Sequence, residues 1–461
     1  MRSLIVIVLA FPFVCFPTFA QRPPGAPDPI IQTIVSAISE ERIAANMAKL
    51  VSFETRNTLS ANNREGKGPQ AARQWIFDSF IAASPRLQVR VDKHRVKKFG
   101  ERFFRDADVM NVVAVLPGKT SPEREFVISA HYDTIHAVMK NVEGGGPNDR
   151  IIDGEASAAE PSAPGASDDA SGIAAVLELA RVMGQYEFDS TIVFIAFDAE
   201  EYGLVGSNLY ATRANRQKEQ IEGVLNNDII GTESTAEGRA ETRRVRVFSE
   251  DPSDSPSRSL ARYIKRTGEM YVPSMNVDLV FRHDRFARGG DHTSFNQEGF
   301  TAVRITSAAE NYANQHSTTD SLANASPAYA TRVARVNAAA LASLALAPKA
   351  PDVTRIATTG ASKGKPLANI ARGESGYAAN LRWKNDKPEA DLAGYKVLIR
   401  STTSPTWERE IFVGDVKQYV MEAVSIDDFV FGVQSVDKDG HESLVSTYVA
   451  AANPKAVFET E

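Results

Sequence analysis

The feature that most constrains the fold is a continuous apolar run at 191–197, followed at once by Asp198-Ala199-Glu200-Glu201. A short run of β-branched and aromatic residues with no polar alternation predicts a strand covered on both faces, as in a mostly parallel sheet. Carboxylates directly after such a strand lie at its carboxyl end, where open α/β sheets place their chemistry. This segment therefore predicts an α/β domain with a polar site at one edge of its sheet.

Helix-like and strand-like patterns alternate along most of the chain. Helical spacing of apolar residues is found at 30–50, 70–83, 173–183, after Gly206 and at 328–346, and strand-like runs lie at 87–96, 109–116, 126–130 and 224–227. This alternation predicts an α/β/α sandwich with a mostly parallel central sheet. Pro348 and Pro351 end the last helix, so we expect the domain to span residues 35–347.

Length and composition restrict the class of protein. The 461 residues suffice for one large domain and a small one. Hydrophobic residues make up 43% and charged residues 24%, which excludes global disorder and a polytopic membrane protein. The formal net charge of −6 gives no reason to expect a nucleic-acid partner.

Residues 1–20 have the pattern of a cleavable signal peptide, with an apolar run at 4–16 and a small residue, Ala20, at the end. Pro12 interrupts the run, which is too short to span a bilayer. We therefore expect export to the periplasm or secretion, with no stable membrane insertion after cleavage. Cys15 is the only cysteine, so the mature chain would contain no disulfide.

Two further segments are predicted to lack regular structure. Residues 21–34 are rich in proline and are expected to form an extended lead-in. Residues 136–167 are rich in Gly, Ala, Pro and Asp and show no periodicity, which predicts a long loop. Loops of that length are uncommon unless they are functional or mobile.

The pattern changes after residue 350 to short alternating runs separated by turn residues. This predicts a small all-β sandwich over 376–455, joined by a linker at 348–375. Trp383, Tyr395 and the run at 433–440 resemble a fibronectin type III module. Such a module would contact cell-wall or protein surfaces, or shield the larger domain.

Two of the seven histidines stand where metal ligands are expected. His131 follows the strand at 126–130, and Asp133 lies on the same side of an extended chain, where a carboxylate can orient a ligating imidazole. His316 lies in a polar loop near the end of the domain. Taken singly, such a histidine is more often a hydrogen-bonded core residue than a ligand.

The carboxylates add to this set. Asp168 precedes a helix in a loop of small residues, where it could bridge two cations, although its neighbours could simply cap the helix. Placing the two negative charges of Glu200 and Glu201 side by side at a buried strand end costs free energy, unless cations or a shared proton compensate the charges. One of them can bind a metal while the other takes a proton from water. Asp228 offers another carboxylate at the same sheet edge.

The ordered series resembles the M28 family of zinc metallopeptidases over roughly residues 35–347, and 289–295 resembles the stretch before the family's last ligand. The resemblance implies a zinc-exopeptidase fold of the phosphorylase/hydrolase-like kind. It also implies two zinc ions, for which Mn²⁺ or Co²⁺ could substitute. The implied metal ligands are His131, Asp168, Glu201, Asp228 and His316.

By the same resemblance, His131 and Asp228 hold one zinc, and Glu201 and His316 hold the other. Asp168 lies between the two ions as a shared ligand.

The implied catalytic residues are Glu200 and Asp133. Glu200 is the general base that activates the water at the metal pair and shuttles its proton to the departing amine. Asp133 supports His131 from behind.

Three further residues are candidates for substrate binding: His292, Arg304 and Tyr312. Arg304 belongs to a cluster of arginines near the end of the domain, and a guanidinium there could grip a substrate carboxylate. Surface charge and structural ion pairing also explain such a cluster.

The resemblance favours an exported aminopeptidase that acts on peptides. A carboxypeptidase or a glutaminyl cyclase-like enzyme has the same fold and metal centre and remains an alternative. An alternative of another class is a non-catalytic peptide-binding protein that keeps the peptidase fold.

Overall fold

The structure, a computed structural model, describes residues 27–61, 64–144, 146, 149–250, 254–359, 362–374 and 376–449. The predicted signal peptide, with Cys15, lies outside these residues, as do residues 21–26 of the predicted lead-in. None of the described helices is both long enough and apolar enough to cross a bilayer.

Six of the nine α-helices of the described chain begin at a short polar side chain that accepts a backbone N–H group. Asp28, Ser255 and Ser326 each accept a backbone N–H of the following turn, and each precedes a proline, which needs no donor there. The helices are α1 Pro29–Ser36, α2 Glu40–Val51, α3 Gly68–Ala83, α4 Gly154–Ala159, α5 Ala170–Met183, α6 Val205–Gln217, α7 Pro256–Tyr271, α8 His292–Gln297 and α9 Pro327–Leu346.

The prediction of an extended lead-in over 21–34 is wrong from Pro29 onward, because Asp28 caps α1. The helical pattern predicted at 30–50 is two helices, and Ser39 caps the second of them. Ile31, Ile34 and Val35 of α1 are buried, so this helix belongs to the core of the domain.

The larger domain is built on one eight-stranded sheet, with a separate two-stranded hairpin of β4 and β5. Its strands are β1 Gln88–Val96, β2 Ala107–Leu116, β3 Ser121–His131, β4 Met139–Asn141, β5 Arg150–Ile152, β6 Ser190–Phe197, β7 Gln220–Asn227, β8 Arg244–Ser249, β9 Asn276–Val280 and β10 Ala302–Ser307.

The order across the sheet is β1-β2-β6-β3-β7-β10-β8-β9. The four central strands, β6, β3, β7 and β10, run parallel, and β8 and β9 are also parallel to each other. The remaining pairings are antiparallel. The sheet is therefore mostly parallel, as predicted, with its parallel strands at the centre.

Alternate residues of the central strands pack into two different cores. Ile192, Phe194 and Ala196 of β6 join the cluster formed with α1, α2, α3, α5, α7 and α9. Val193 and Phe197 join the cluster formed with α6 and α8 on the other face. Helices thus cover both faces of the sheet, which explains why β6 reads as a continuous apolar run.

The segment 136–167 was predicted to be a loop, but it contains the β4–β5 hairpin and α4. Asp153 caps α4 by accepting the Ala156 amide hydrogen at 3.0 Å. The pattern was missed because these elements are too short to show a period.

The C-terminal domain is antiparallel and contains a three-stranded and a four-stranded sheet. Its strands are β11 Thr354–Ile356, β12 Pro366–Ala368, β13 Ile370–Arg372, β14 Ala378–Arg382, β15 Leu392–Ser401, β16 Arg409–Gly414, β17 Gln418–Glu422, β18 Phe429–Asp437 and β19 Ser446–Thr447. Trp383 and Tyr395 lie in its core with ring centroids 5.4 Å apart.

The predicted linker at 348–375 is not a connecting segment, because three of the strands lie within it. β13 pairs with β14, and Val353 is buried in the core of the small domain. The C-terminal domain therefore begins near residue 352.

Helix α7 forms much of the contact between the domains. The Tyr263 hydroxyl donates to the Glu442 carbonyl at 3.0 Å, and Arg266 Nη1 lies 2.6 Å from a carboxylate oxygen of Glu442. Arg262 Nε donates to the Pro405 carbonyl at 2.7 Å. The two domains are held together by directed polar contacts of buried or partly buried side chains.

Candidate metal centre

Four of the candidate residues are placed by the ends of three parallel strands. His131 is the last residue of β3, Asp228 follows β7, and Glu200 and Glu201 follow β6 after a short turn. Parallel strands end at a common edge, so these side chains are delivered to one place. Asp168, just before α5, and His316, in a loop after β10, complete the group.

The side chains form two potential metal-binding groups that share one carboxylate. His131, Asp168 and Asp228 form the first, and Asp168, Glu201 and His316 form the second. In each group the potential ligand atoms lie within 4.8 Å of one another. The five residues predicted as ligands are therefore brought together.

Asp168 has one carboxylate oxygen directed to each group. Its Oδ1 lies 3.1 Å from His131 Nε2, and its Oδ2 lies 3.3 Å from His316 Nε2. His316 Nε2 also lies 3.2 Å from Glu201 Oε1. On the other side, His131 Nε2 lies 4.0 Å from Asp228 Oδ1.

The side chains present fit divalent cations. His131 Nε2 is buried and makes no hydrogen bond to any described residue, although it faces Asp168 and Asp228. A buried nitrogen that faces carboxylates in this way is placed as a metal ligand would be. Two imidazoles with carboxylates form a donor set that zinc accepts readily.

The crowding of carboxylates at the site also favours bound cations. Burial raises the pKa of Glu200, against the effect of His131, and the charges of Asp228 and Glu201 raise it further. Burial also raises the pKa of Asp228, although Arg304 opposes this shift. Bound cations would reverse the effect by compensating the crowded carboxylates.

Asp133 connects the strand end of His131 to the glutamate pair. His131 Nδ1 lies 3.1 Å from the Asp133 carbonyl oxygen, which fixes the imidazole from behind. The Asp133 carboxylate accepts the backbone N–H groups of Glu200 and Glu201 at 3.0 and 3.1 Å. The chain turns at Ala199, which has a φ of 59°. Asp133 thus supports both sides of the site.

The loop that carries Asp168 is held by the carboxylates of Asp169 and Asp320, and Asp320 was not predicted from the sequence. Asp169 caps α5 by accepting the Gly172 N–H, as one of the simpler explanations predicted. The Asp320 carboxylate accepts the N–H groups of Ser167 and Asp168 at 2.8 and 2.9 Å. Asp320 lies only four residues after His316, so it connects the loops of two candidate ligands.

Arg56 is a second support that was missed. Its guanidinium, which is buried, donates to the carbonyl oxygens of Tyr132, Pro164 and Gly165 at 2.7, 2.7 and 2.9 Å. It therefore ties the end of β3 to the Asp168 loop. Its partners lie 76 to 109 residues away along the chain, beyond the reach of any local pattern.

A cavity of about 520 Å³ opens beside the candidate metal centre. Glu200 lines it together with the ligand residues Asp168, Glu201, Asp228 and His316. Tyr312, a predicted substrate-binding residue, also lines it and is 58% exposed. Arg102, Arg285 and Arg288 line it as well. Arg285 and Arg288 belong to the arginine cluster considered in the sequence, whereas Arg102 was not predicted.

Two predicted substrate-binding residues do not reach this cavity. Arg304 is fully buried and pairs with Asp228 and Asp284, so its guanidinium is not available to a substrate. His292 is also fully buried and stacks on His283, with ring centroids 4.9 Å apart. The prediction that Arg304 and His292 contact substrate is therefore wrong. Both side chains are buried below the cavity surface, which the sequence alone does not show.

Comparison with known sequences agrees with this picture. Residues 111–341 match the sequence profile of peptidase family M28. A probable zinc metalloprotease of Pyricularia oryzae is 35% identical over 90% of this chain and 84% of its own length. A probable zinc metalloprotease of Leptosphaeria maculans is 34% identical over 91% of this chain and 96% of its own length.

Solved structures share the fold at low sequence identity. The LapA aminopeptidase of Legionella pneumophila superposes with a TM-score of 0.51 at 21% identity, over 68% of this chain and 74% of its own. The zinc aminopeptidase BSAP of Bacillus subtilis superposes with a TM-score of 0.50 at 15% identity, over 66% and 94% of the two chains. The predicted fold class and family resemblance are confirmed.

Proposed function

The chain belongs to peptidase family M28 and is a zinc metallopeptidase, and from this we propose that it is a two-zinc exopeptidase that removes amino acids from the N-terminus of peptides. The observation that carries the proposal is the sharing of Asp168 between two potential metal-binding groups. A carboxylate shared by both groups would allow them to hold two cations close together, as two-metal hydrolases require.

In this proposal His131, Asp228 and Asp168 would hold one zinc. Glu201 and His316 would hold the second, together with Asp168. When bound, the two cations act as Lewis acids on the peptide carbonyl and lower the pKa of a water.

Glu200 is the proposed general base and acid. It lines the cavity beside the ligand residues, and its carboxylate would accept a proton from the attacking water and pass it to the departing amine. Asp133 would keep Glu200 in place through the backbone hydrogen bond.

The size of the cavity supports an exopeptidase. About 520 Å³ is a usual volume for a small-molecule site, so it suits the end of a peptide better than a long internal segment. Two proteins that share the fold are described as aminopeptidases, which supports the N-terminal direction.

The test uses the zinc-loaded protein and three forms of one peptide. The form with free ends and the C-amidated form should both lose their first residue, whereas the N-acetylated form should remain intact. Cleavage of the N-acetylated form from its C-terminus would overturn the proposal in favour of a carboxypeptidase. No turnover across a broad peptide panel would favour a binding protein.

We also propose that residues 1–20 direct export and that the C-terminal β domain is a fibronectin type III-like module that contacts cell-wall or protein surfaces. The first part is tested by N-terminal sequencing of the protein recovered from a host's periplasm or medium, which should begin at Gln21. The second is tested by sedimentation with cell-wall material, comparing the full chain with a variant whose exposed Tyr377 is replaced.

A further inference from the structure

The charged residues that line the cavity beside the candidate metal centre are unevenly distributed. Its acidic lining residues are Asp168, Glu200, Glu201 and Asp228, all of them in the candidate centre. Its basic lining residues other than His316 are Arg102, Arg285 and Arg288. Two divalent cations would balance the four carboxylates, so the arginines would decide the sign of the cavity's potential.

The charge of Arg285 is already compensated by two carboxylates of the protein. Arg285 pairs with Asp284 at 3.1 Å and with Glu310 at 2.6 Å, and its side chain is only 8% exposed. These contacts hold it in the wall of the cavity. Its charge contributes little to substrate binding because two carboxylates face it directly.

Arg288 has no such partner. Among the described residues it forms no ion pair, and its Nη1 donates to Gln315 Oε1 at 2.7 Å. Gln315 in turn donates to Glu310 at 3.1 Å, so its amide is oriented by the wall of the cavity. The Arg288 guanidinium is therefore positioned by a neutral group and keeps its charge for another ligand.

Arg102 approaches the cavity from a different part of the chain. Its Nη2 lies 3.5 Å from Glu201 Oε2, and its Nε is buried without a hydrogen-bond partner in the described chain. Glu201 directs its other oxygen towards His316. A cation bound there would withdraw charge from Glu201 and weaken its pairing with Arg102.

We propose that Arg102 and Arg288 bind a carboxylate of the substrate close to the scissile bond, so that the enzyme prefers substrates that are negatively charged at that place. This inference rests on the proposed function and names its substrate class. A guanidinium group suits this task because its N–H groups match the two oxygens of a carboxylate. The carboxylate can be the side chain of an acidic N-terminal residue or the free C-terminus of a dipeptide.

Two pairs of substrates distinguish these sources. Glutamyl and glutaminyl chromogenic amides differ only in the side-chain charge, and a neutral dipeptide can be compared with its C-amidated form. The inference predicts that kcat/KM is about tenfold or more higher for the charged member of at least one pair. Equal values in both pairs would overturn it.

The variants Arg102→Gln and Arg288→Gln test the assignment of residues. Each should reduce the preference for the charged member about tenfold, because one charge-assisted contact is lost. Arg282→Gln is the matched control, since Arg282 belongs to the same loop as Arg288 but does not line the cavity. A preference that survives both cavity substitutions would refute the role of these arginines.

Binding of products separates this inference from the proposed function. L-glutamate and L-glutamine are titrated calorimetrically into the zinc-loaded Glu200→Gln protein. Tighter binding of glutamate than of glutamine, or of a neutral dipeptide than of its C-amidated form, supports the carboxylate site even if no peptide is hydrolysed. Equal affinities in both comparisons contradict the site, whatever the activity of the native protein.

Discussion

Arg304 Nη2 lies 3.0 Å from Asp228 Oδ1, and both side chains are buried. The same guanidinium contacts Asp284, also at 3.0 Å, so one arginine neutralises two buried carboxylates. This contact opposes the rise in the pKa of Asp228 that burial causes. It also places Arg304 beneath the site, away from substrate.

The first prediction concerns Arg304→Gln in the metal-free protein. Loss of the buried charge leaves Asp228 without its guanidinium partner and Asp284 with Arg285 alone, and breaking a buried pair in this way costs about 3–5 kcal/mol. Urea denaturation should show this loss in the free energy of unfolding. The exposed Arg282→Gln should change it by less than about 0.5 kcal/mol, and an equally small change for Arg304→Gln would contradict the prediction.

The second prediction concerns Glu200→Gln. Glutamine keeps the shape of the side chain but cannot accept the proton, so kcat should fall about 10²–10⁴-fold. Zinc content, measured by atomic emission, should stay at the native level. Glu201→Gln serves as the comparison and should lose zinc; unchanged turnover in Glu200→Gln would refute its role as the base.

The third prediction concerns the shared carboxylate. Asp168→Asn weakens both potential metal-binding groups at once, so zinc per chain should fall below the native value and the midpoint of thermal unfolding in excess zinc should fall as well. Asp386→Asn, at an exposed position, should leave both measurements unchanged. If Asp168→Asn kept the native zinc content, the bridging role would be excluded.

The fourth prediction concerns pH. Burial raises the pKa of Glu125 to about 7, and nearby Glu219 adds to the rise. The unfolded chain releases this proton above about pH 4.3, whereas the folded chain keeps it until about pH 7. The contribution of Glu125 to stability therefore falls as pH rises from about 4.5 to 7 and is constant above that.

Glu125→Gln should remove this dependence. Its free energy of unfolding relative to the native protein should rise across the same window, by an amount on the order of 1–2 kcal/mol, because Glu125 is only partly buried. Urea denaturation at pH 5 and pH 7.5 measures the effect. An advantage that is the same at both values would show that Glu125 titrates normally.

The central sheet and the metal-binding groups could be predicted because local patterns determine them. β6 is apolar along its whole length since helices cover both faces, and its carboxyl end is marked by Glu200 and Glu201. The same rule placed His131 and Asp228 at the ends of their strands. Residues whose position follows from a strand end are visible in the sequence.

Other parts of the fold depend on distant contacts. Helix α7 was not predicted, although Leu260, Ile264 and Tyr271 keep helical spacing. Its low mean hydropathy hides that Arg258 and Arg262 are buried, and Arg262 contacts the C-terminal domain.

Arg304 was predicted to bind substrate because its sequence context does not show that its side chain is fully buried in β10. Arg102 contacts Glu201, which lies 99 residues away along the chain. Asp320 contacts Asp168, which lies 152 residues away.

The contact of His441 with Asp28 has a consequence for how the protein loses its structure. His441 Nε2 lies 2.8 Å from the Asp28 carboxylate, and Asp28 also caps α1, so the first described helix and the C-terminal β domain share one side chain. Fraying at either end of the chain must therefore disturb the other. The two domains should melt as one cooperative unit, with a single calorimetric transition in place of two.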